Sequence, residues 1–178
     1  MRDEYIRVLL DRSRDNVMAF LNKHAFVDLT SDNQIKILKL LEMQRHAMFM
    51  FTSCGWFFDD VSGIESMQIL QYAARAIQLG QEVVGGDLET PFLKMLESAT
   101  SNSPEKKNGA EIYRQHIKLD IIGLLDVGAH YAMASLFEHY PETNKVYAYT
   151  VTTLEYHVHT AGKQNIVIGK AAVRSDIT

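Results

Sequence analysis

The sequence has little of several features that would mark a specialised class of protein. Its single cysteine, Cys54, excludes an intramolecular disulfide framework, and no run approaches the roughly 18 apolar residues that a membrane-spanning helix needs. The net charge is −4 and the basic residues are scattered singly, so there is no basic stripe for a phosphate backbone. We therefore expect neither nucleic acid nor a membrane as a partner. The charged N-terminus, MRDEYIRVLLDRSRD, does not resemble a signal peptide, which predicts a cytoplasmic protein.

Apolar residues at helical spacing are abundant. They make up much of the 47% hydrophobic content of the 178 residues, which is enough for a substantial core. An amphipathic helix is predicted from about residue 2 to 25, with an interruption near Ser13. A second helix is predicted from a cap at residues 30–32 to about residue 51. It is apolar nearly all round, which predicts a position in the middle of a helical bundle.

The helical pattern continues beyond residue 62. Ser62 and Glu65 have the spacing of a capping box, so a third helix is predicted to begin there and to end between residues 80 and 86. Three further segments are predicted from periodicity or its absence: a fourth helix from residue 87 or 90, a mobile loop at 101–108, and a fifth helical region at about 110–139 with a break near 118–120.

The residue composition changes after Pro141. The segments KVYAYTVTTLEYHVH and QNIVIGKAAVRS are rich in β-branched and aromatic residues and are separated by TAGK, which predicts a β-hairpin. Two strands alone are marginally stable, so the hairpin must pack on the helices or belong to a larger sheet. The predicted fold is therefore mainly α: a bundle of about five helices over residues 1–140, then a β-hairpin or partial sheet over residues 141–178.

The stretch TSCGWFFDDVSGIE, residues 52–65, carries the only tryptophan and the only cysteine of the chain. Gly55 allows a backbone bend, so residues 56–61 should form a tight corner that carries three aromatic rings. Buried rings would make the corner a structural staple between two helices. Exposed rings would make it a stacking platform, because aromatic faces suit the C–H surfaces of sugars.

We predict a corner that combines both roles. Phe57 or Phe58 is expected to be anchored in the bundle, while Trp56 lies near a polar groove. Asp59 and Asp60 are candidates for binding sugar hydroxyls, although they also suit the N-terminus of the following helix. They are not predicted to be a glycosidase pair, since that chemistry needs two carboxyl groups facing each other across roughly 5–9.5 Å and adjacent residues generally point apart.

Polar residues on the two flanking helices add to the candidate site. Arg45 and His46 lie in the otherwise apolar second helix, one turn from Glu42, and form either a paired internal network or one side of a polar cavity. Gln71 belongs to a polar line on the third helix that suits sugar hydroxyls or plain solvent. The candidate substrate-binding residues are therefore Trp56, Asp59, Asp60, Arg45, His46 and Gln71.

No sequence pattern assigns a catalytic residue, a metal site or a cofactor. His157 and His159 alternate along a predicted strand and so share one face, but no third zinc ligand is evident. The chain has no phosphate-binding loop, no HExxH motif and no nucleophile elbow.

The segment LLEMQRHAMFMFTSCGWFFDDVSGIESMQILQYAARAIQL closely resembles the C-terminal region of glycoside hydrolase family 57-like bacterial proteins, a domain of unknown function. The segments SATSNSPEKKNGAEIYRQHI and VGAHYAMASLFEHY resemble that family as well, so the similarity covers nearly the whole chain. The resemblance implies a helical accessory domain that packs on an N-terminal catalytic barrel, which this chain does not contain.

The resemblance leads to two functional expectations. The first is an accessory domain that is inactive alone and contributes the Trp56 corner to a cleft for an α-glucan or oligosaccharide, within a hydrolase or glucanotransferase. The alternative is a structural or interaction domain that never contacts sugar. An independent metal-dependent enzyme is a distant third. The surroundings of the Trp56 ring discriminate between the first two, because a solvent-facing ring beside Asp59 and Arg45 favours sugar contact and a completely buried ring favours a staple.

Overall fold

A computed structural model of the chain describes residues 1–177, apart from the side chain of Arg2. It divides into two compact units, the first ending at Ile121 and the second beginning at Ile122. Helices form most of the first unit, and the second contains one helix and a sheet. The class is therefore mixed α and β with helices in the majority. The β region predicted for residues 141–178 includes Thr178, which lies outside the described residues.

The N-terminal part of the first unit has the helices and the interruption that the sequence predicts. Ser13 precedes the second of these helices, which confirms the predicted break, and the Thr30 side chain caps the third by accepting a hydrogen bond from the Asn33 amide at 3.3 Å. The elements are a 3₁₀ turn at Arg2–Glu4, α1 at Ile6–Leu10, α2 at Arg14–His24 and α3 at Ser31–Phe49.

The remainder of the first unit contains more elements than the sequence predicts, because a short helix forms in the corner and the fifth predicted helical region is split. They are α4 at Cys54–Phe57, α5 at Ile64–Val84, α6 at Glu89–Leu96, α7 at Gly109–Ile112, a π-helical turn at Tyr113–Ile117 and a 3₁₀ turn at Lys118–Asp120. The predicted break at 118–120 is confirmed. The predicted Ser62 cap is wrong, since Gly63 is the N-cap of α5 and makes no side-chain cap bond.

Helix α3 does not lie in the middle of the first unit. Ile35, Leu40 and Met48 are exposed, and the one fully buried side chain of α3 is a carboxylate, Glu42. Helix α5 is the central helix instead, with buried residues on several of its turns: Ser66, Leu70, Ala73, Ala74, Leu79 and Gly80. The hydrophobic residues all round α3 predicted a central position for that helix, and this prediction was wrong. Helix α5 takes the central position, because its small residues allow neighbouring elements to approach closely.

Two hydrophobic clusters stabilise the first unit. One surrounds the π-helical turn and is built on Tyr113, Ile112 and Leu70. The other joins α1 and α2 through Val8 and Leu21. Burial of apolar side chains at roughly 25 cal/mol per Å² is the main stabilising contribution in both.

The segment at residues 101–108 is a hydrogen-bonded turn, so the predicted mobile loop is replaced by a defined structure. Thr100 and Asn108 form an isolated antiparallel bridge, and the Ser101 amide donates to the Lys107 carbonyl at 3.0 Å. Lys107 has a positive φ of 58°, a left-handed conformation that closes the turn.

The second unit consists of α8 at Leu124–Ala134 and an antiparallel sheet in the order β1, β2, β3. The strands are Thr143–Val146, Tyr149–Ala161 and Gln164–Ser175. The predicted hairpin is confirmed as β2 and β3, and β1 adds a third strand. Val127, Tyr131 and Val151 form the buried core between α8 and this sheet.

A β-bulge interrupts the pairing of β2 with β3 between Thr153 and Glu155. Gly169 pairs with Tyr156, next to this irregularity, and a Cβ atom there would lie 2.5 Å from the Glu155 carbonyl oxygen. Only glycine allows this approach without a backbone shift. Within the described residues, no helix is both long enough and apolar enough to cross a membrane.

Candidate functional site

The corner predicted from the sequence is built around the short helix α4. It packs on α5 at Gly55, where a Cβ atom would lie 2.7 Å from Ile69 Cγ1. A side chain at this position would push the two helices apart, so glycine is required for the close approach. Because the face of α4 that meets α5 is a glycine, the large side chains that follow project away from the helix pair.

The three aromatic rings of the corner are exposed. Trp56 is 73% exposed, Phe57 72% and Phe58 53%. The two phenylalanine rings contact each other edge to face, with 5.2 Å between centroids. The prediction that Phe57 or Phe58 is anchored in the bundle is therefore wrong, and the Trp56 ring is exposed to solvent.

A cleft of about 240 Å³ lies beside these rings. Its walls combine apolar side chains with two carboxylates and one hydroxyl, and the lining residues are Gly55, Phe58, Asp59, Asp60, Val61, Ser66, Ile69 and Leu70. Trp56 is next to this lining in sequence and does not belong to it. The cleft can therefore hold a small polar group while the tryptophan ring offers a flat surface outside it.

Asp60 ties the corner to the turn at residues 101–108. Its carboxylate accepts hydrogen bonds from the Ser62 amide at 2.7 Å, the Asn102 amide at 2.5 Å and the Ser101 hydroxyl at 3.1 Å. The Asn102 side-chain amide also donates to the Asp59 carbonyl at 3.0 Å. Hydrogen bonds from Ser62 and Asn102 lower the pKa of Asp60 to about 2. Asp60 therefore holds the corner in shape, and Asp59 is the other acidic residue of the cleft lining.

The substitution Asp60→Asn is expected to lower the thermal unfolding midpoint at neutral pH. The folded-state pKa of Asp60 is depressed from 3.8 to about 2, so the carboxylate stabilises the fold above 3.8 and this contribution is lost as the pH falls through about 2. Thermal unfolding of wild type and variant between pH 2 and 7 checks this, and the two midpoints should converge in acid. Asp59→Asn is the control and should not change the midpoint. A constant gap across the pH range would contradict the assignment.

Arg45 and His46 lie elsewhere in the first unit, around a buried carboxylate. Glu42 is 2% exposed, and its Oε1 accepts hydrogen bonds from the Tyr5 hydroxyl at 2.6 Å and from Arg12 Nη2 at 2.7 Å. Its Oε2 accepts a hydrogen bond from Arg45 Nη1 at 3.0 Å, and His46 Nε2 lies 3.9 Å from the same oxygen. The predicted pairing of Glu42 with Arg45 is confirmed. Tyr5 and Arg12 could not be identified from the helical spacing, because they come from a different part of the chain.

The network sets the charges of its members. Burial alone would raise the pKa of Glu42, but hydrogen bonds from Tyr5 and Arg12 outweigh it and hold the pKa below its ordinary value. Burial, followed by the bond to Glu42, raises the pKa of Tyr5. Burial lowers the pKa of His46, and its buried Nδ1 has no hydrogen-bond partner among the described residues. Glu42 is thus a carboxylate shared by two guanidinium groups and a neutral tyrosine.

Arg45 also borders a second cleft of about 240 Å³, which is separate from the corner cleft. Its guanidinium lies over the Phe49 ring at 5.0 Å from the centroid. Gln71, the remaining candidate, donates a hydrogen bond from its side chain to Asp120 Oδ2 at 3.2 Å. The structure therefore brings Asp59 and Asp60 together beside Trp56 and leaves Arg45, His46 and Gln71 at other places.

The described residues contain no group of three histidine, cysteine or acidic side chains that could hold a metal ion. His157 and His159 lie on one face of β2, opposite Ile168 and Ile166 of β3. Cys54 is exposed at the start of α4.

These features describe a helical unit with an exposed aromatic corner and a second unit of one helix on a small sheet. A family model described as "Domain of unknown function (DUF3536)" matches residues 1–178. The chain belongs to that family. Neither a curated protein nor a solved structure matches the chain.

Proposed function

We propose that the chain is a carbohydrate-binding accessory domain that uses the Trp56 corner to contact an α-glucan or a related oligosaccharide. The observation that carries the proposal is the exposure of the only tryptophan, at 73%, next to a cleft that contains Asp59. An exposed tryptophan ring is costly to hydrate and is uncommon without a partner. Sugar rings offer it an apolar C–H face, and their hydroxyl groups are donors for a nearby carboxylate.

The arrangement of Asp59 and Asp60 supports binding rather than catalysis. Asp60 is occupied by its hydrogen bonds to Ser62, Ser101 and Asn102, so it is not available as a nucleophile or a proton donor. Retaining and inverting glycosidases both need two available carboxyl groups across the scissile bond. We therefore expect no glycosidase activity from this chain alone.

The wider assignment rests on the resemblance to glycoside hydrolase family 57-like proteins. On that basis we propose that the domain packs on an N-terminal catalytic barrel of the same longer protein, in the cytoplasm, with the corner lining part of the glucan cleft. Whether that protein hydrolyses or transfers glucan follows from the barrel and not from this chain.

Replacing Trp56 with alanine is expected to weaken binding of a maltooligosaccharide by about tenfold or more, as for a central aromatic in a binding surface. The ring makes no buried contact, so the free energy of unfolding should change by less than about 0.5 kcal/mol. Isothermal titration calorimetry and urea unfolding of the same samples measure both quantities.

Phe26→Ala is the matched control, because Phe26 is a fully exposed aromatic residue of the first unit that lies outside the corner cleft. It should leave sugar binding unchanged. Two results would overturn the proposal: equal binding by wild type and Trp56→Ala, or equal weakening by Trp56→Ala and Phe26→Ala.

A second function, an interaction surface for a protein partner, is favoured by one further observation. Phe51 and Ile64 flank the corner in sequence and are also exposed, so this stretch of the chain carries five large exposed apolar side chains. Exposed apolar surface of this kind is typical of protein contacts. Unchanged sugar binding by Trp56→Ala at normal stability would favour this function, with the catalytic barrel as the expected partner.

A further inference from the structure

A pocket of about 190 Å³ lies in the second unit, where α8 ends against β2. Its lining includes three tyrosines: Tyr131 from α8, Tyr140 from the segment that follows and Tyr156 from β2. The rings of Tyr131 and Tyr140 lie 5.3 Å apart between centroids, tilted by 33°. The pocket belongs to a different unit from the corner cleft, and Trp56 is not part of its lining.

The tyrosine hydroxyls are held in place by hydrogen bonds. The Tyr131 and Thr153 hydroxyls are 2.5 Å apart, and the Tyr156 hydroxyl donates to the Ser135 carbonyl at 2.7 Å. Their rings are consequently fixed in orientation before any ligand arrives. A binding site of this kind avoids the entropic cost of ordering its side chains.

The pocket lining carries two carboxylates, from Glu138 and Glu142, and one histidine, His139. Glu138 and Glu142 are exposed at its edge, and its lining includes neither lysine nor arginine. Two basic residues of the second unit, Lys145 and Arg174, pair with Asp176 instead. An anionic ligand would therefore be repelled.

The end of α8 adds to this negative potential. Ser135 is the C-cap of this 11-residue helix and contributes to the pocket lining. The C-terminus of a helix carries a partial negative charge of about half an electron, which stabilises cations placed near it. The helix end, the carboxylates and the aromatic rings all favour a positively charged ligand.

We propose that this pocket binds a small organic cation through an ammonium group. The rings of Tyr140 and Tyr156 supply cation–π attraction, the buried Tyr131 ring packs against Tyr140, and Glu138 and Glu142 supply charge at the rim. The volume is below the roughly 300 Å³ at which drug-sized pockets begin, so the ligand has only a few heavy atoms inside the pocket. A quaternary or primary ammonium group at the end of a chain has the required size and charge.

The probe for the test is choline chloride, titrated into the full chain and followed by calorimetry and by NMR. Its control is 3,3-dimethylbutan-1-ol, which has the same shape with a neutral carbon in place of the nitrogen. We expect choline to bind with a dissociation constant of about 1 mM, in the range expected for so small a ligand, and the neutral alcohol to bind at least about fivefold more weakly.

Two pairs of variants test whether the carboxylate charge and the aromatic ring each contribute to choline binding. Glu142→Gln should weaken choline binding about fivefold or more, whereas Glu155→Gln, which removes the same charge from a residue outside the pocket, should not. Tyr140→Leu removes an aromatic face and should weaken binding similarly, whereas Tyr140→Phe retains the face and should preserve it.

Several results would overturn this proposal. They are no saturable choline binding to a wild-type chain with normal circular dichroism, equal affinity for the neutral alcohol, or equal effects of Glu142→Gln and Glu155→Gln. None of these results bears on sugar binding at Trp56, and loss of sugar binding by Trp56→Ala does not bear on choline. The two proposals can therefore fail separately.

Discussion

Replacing Glu42 with alanine is expected to lower the free energy of unfolding by about 3–5 kcal/mol, the cost of removing one partner from a buried ionic network. The change leaves the guanidinium groups of Arg12 and Arg45 without their shared counter-charge and the buried Tyr5 hydroxyl without its acceptor. Urea unfolding at neutral pH measures the loss. This contribution should also depend on pH: since the folded-state pKa of Glu42 lies below 4.5, it is present above that value and is lost as the pH falls through the folded value.

Glu82→Ala is the matched control for Glu42→Ala. Glu82 of α5 pairs with Lys39 of α3, the helix that also carries Glu42, at 2.9 Å, and its side chain is partly exposed. Pairs of this type contribute about 1 kcal/mol or less, because solvent screens them. If both substitutions reduce stability by the same small amount, the Glu42 network does not stabilise the first unit as the structure indicates.

Replacing Tyr113 with alanine should lower the free energy of unfolding by a similar amount, about 3–5 kcal/mol, as for other large aromatic residues removed from a core. Tyr113 is fully buried in the cluster around the π-helical turn, and its ring contacts Phe92 edge to face at 5.9 Å between centroids. The cavity left by the ring would be surrounded by residues of several elements, which cannot all collapse into it. Chemical denaturation gives the difference directly.

The substitution Tyr113→Phe removes only the hydroxyl, so it distinguishes the stability contribution of the hydroxyl from that of the ring. The hydroxyl donates a hydrogen bond to Glu89 Oε1 at 3.2 Å, and Glu89 also binds Lys118, so the carboxylate keeps a partner when the hydroxyl is removed. The expected loss is about 1 kcal/mol. A loss for Tyr113→Ala no larger than that for Tyr113→Phe would show that the ring is not a central part of the core.

Local signals in the sequence predicted most helix and strand boundaries. The break at Ser13, the Thr30 cap and the hairpin around residues 162–163 depend on neighbouring residues only, so they can be read without knowing the fold. The cap predicted at Ser62 was wrong, because the capping pattern takes no account of the contacts that Asp60 makes with a distant part of the chain. Asp60 engages the Ser62 amide and the distant turn at 101–108, and Gly63 becomes the cap.

Burial and pairing were harder to predict because they depend on distant parts of the chain. Glu42 could be matched with Arg45 one turn away, but its shortest contacts are with Tyr5 and Arg12. The predicted anchoring of Phe57 or Phe58 was wrong for the same reason, since the contact of Gly55 with Ile69 on α5 decides which way the corner rings project. Hydrophobicity alone does not reveal that direction.

The central claim, that the corner binds glucan, can be tested on the ring itself. Trp56 is the only tryptophan of the chain, so the intrinsic tryptophan fluorescence of the wild-type protein reports on the corner without any label. Titration with maltohexaose should produce a saturable change in the intensity or wavelength of this emission, as the exposed indole becomes covered, and cellohexaose of equal length should produce a weaker one. An emission spectrum that stays unchanged up to saturating maltohexaose would contradict the claim.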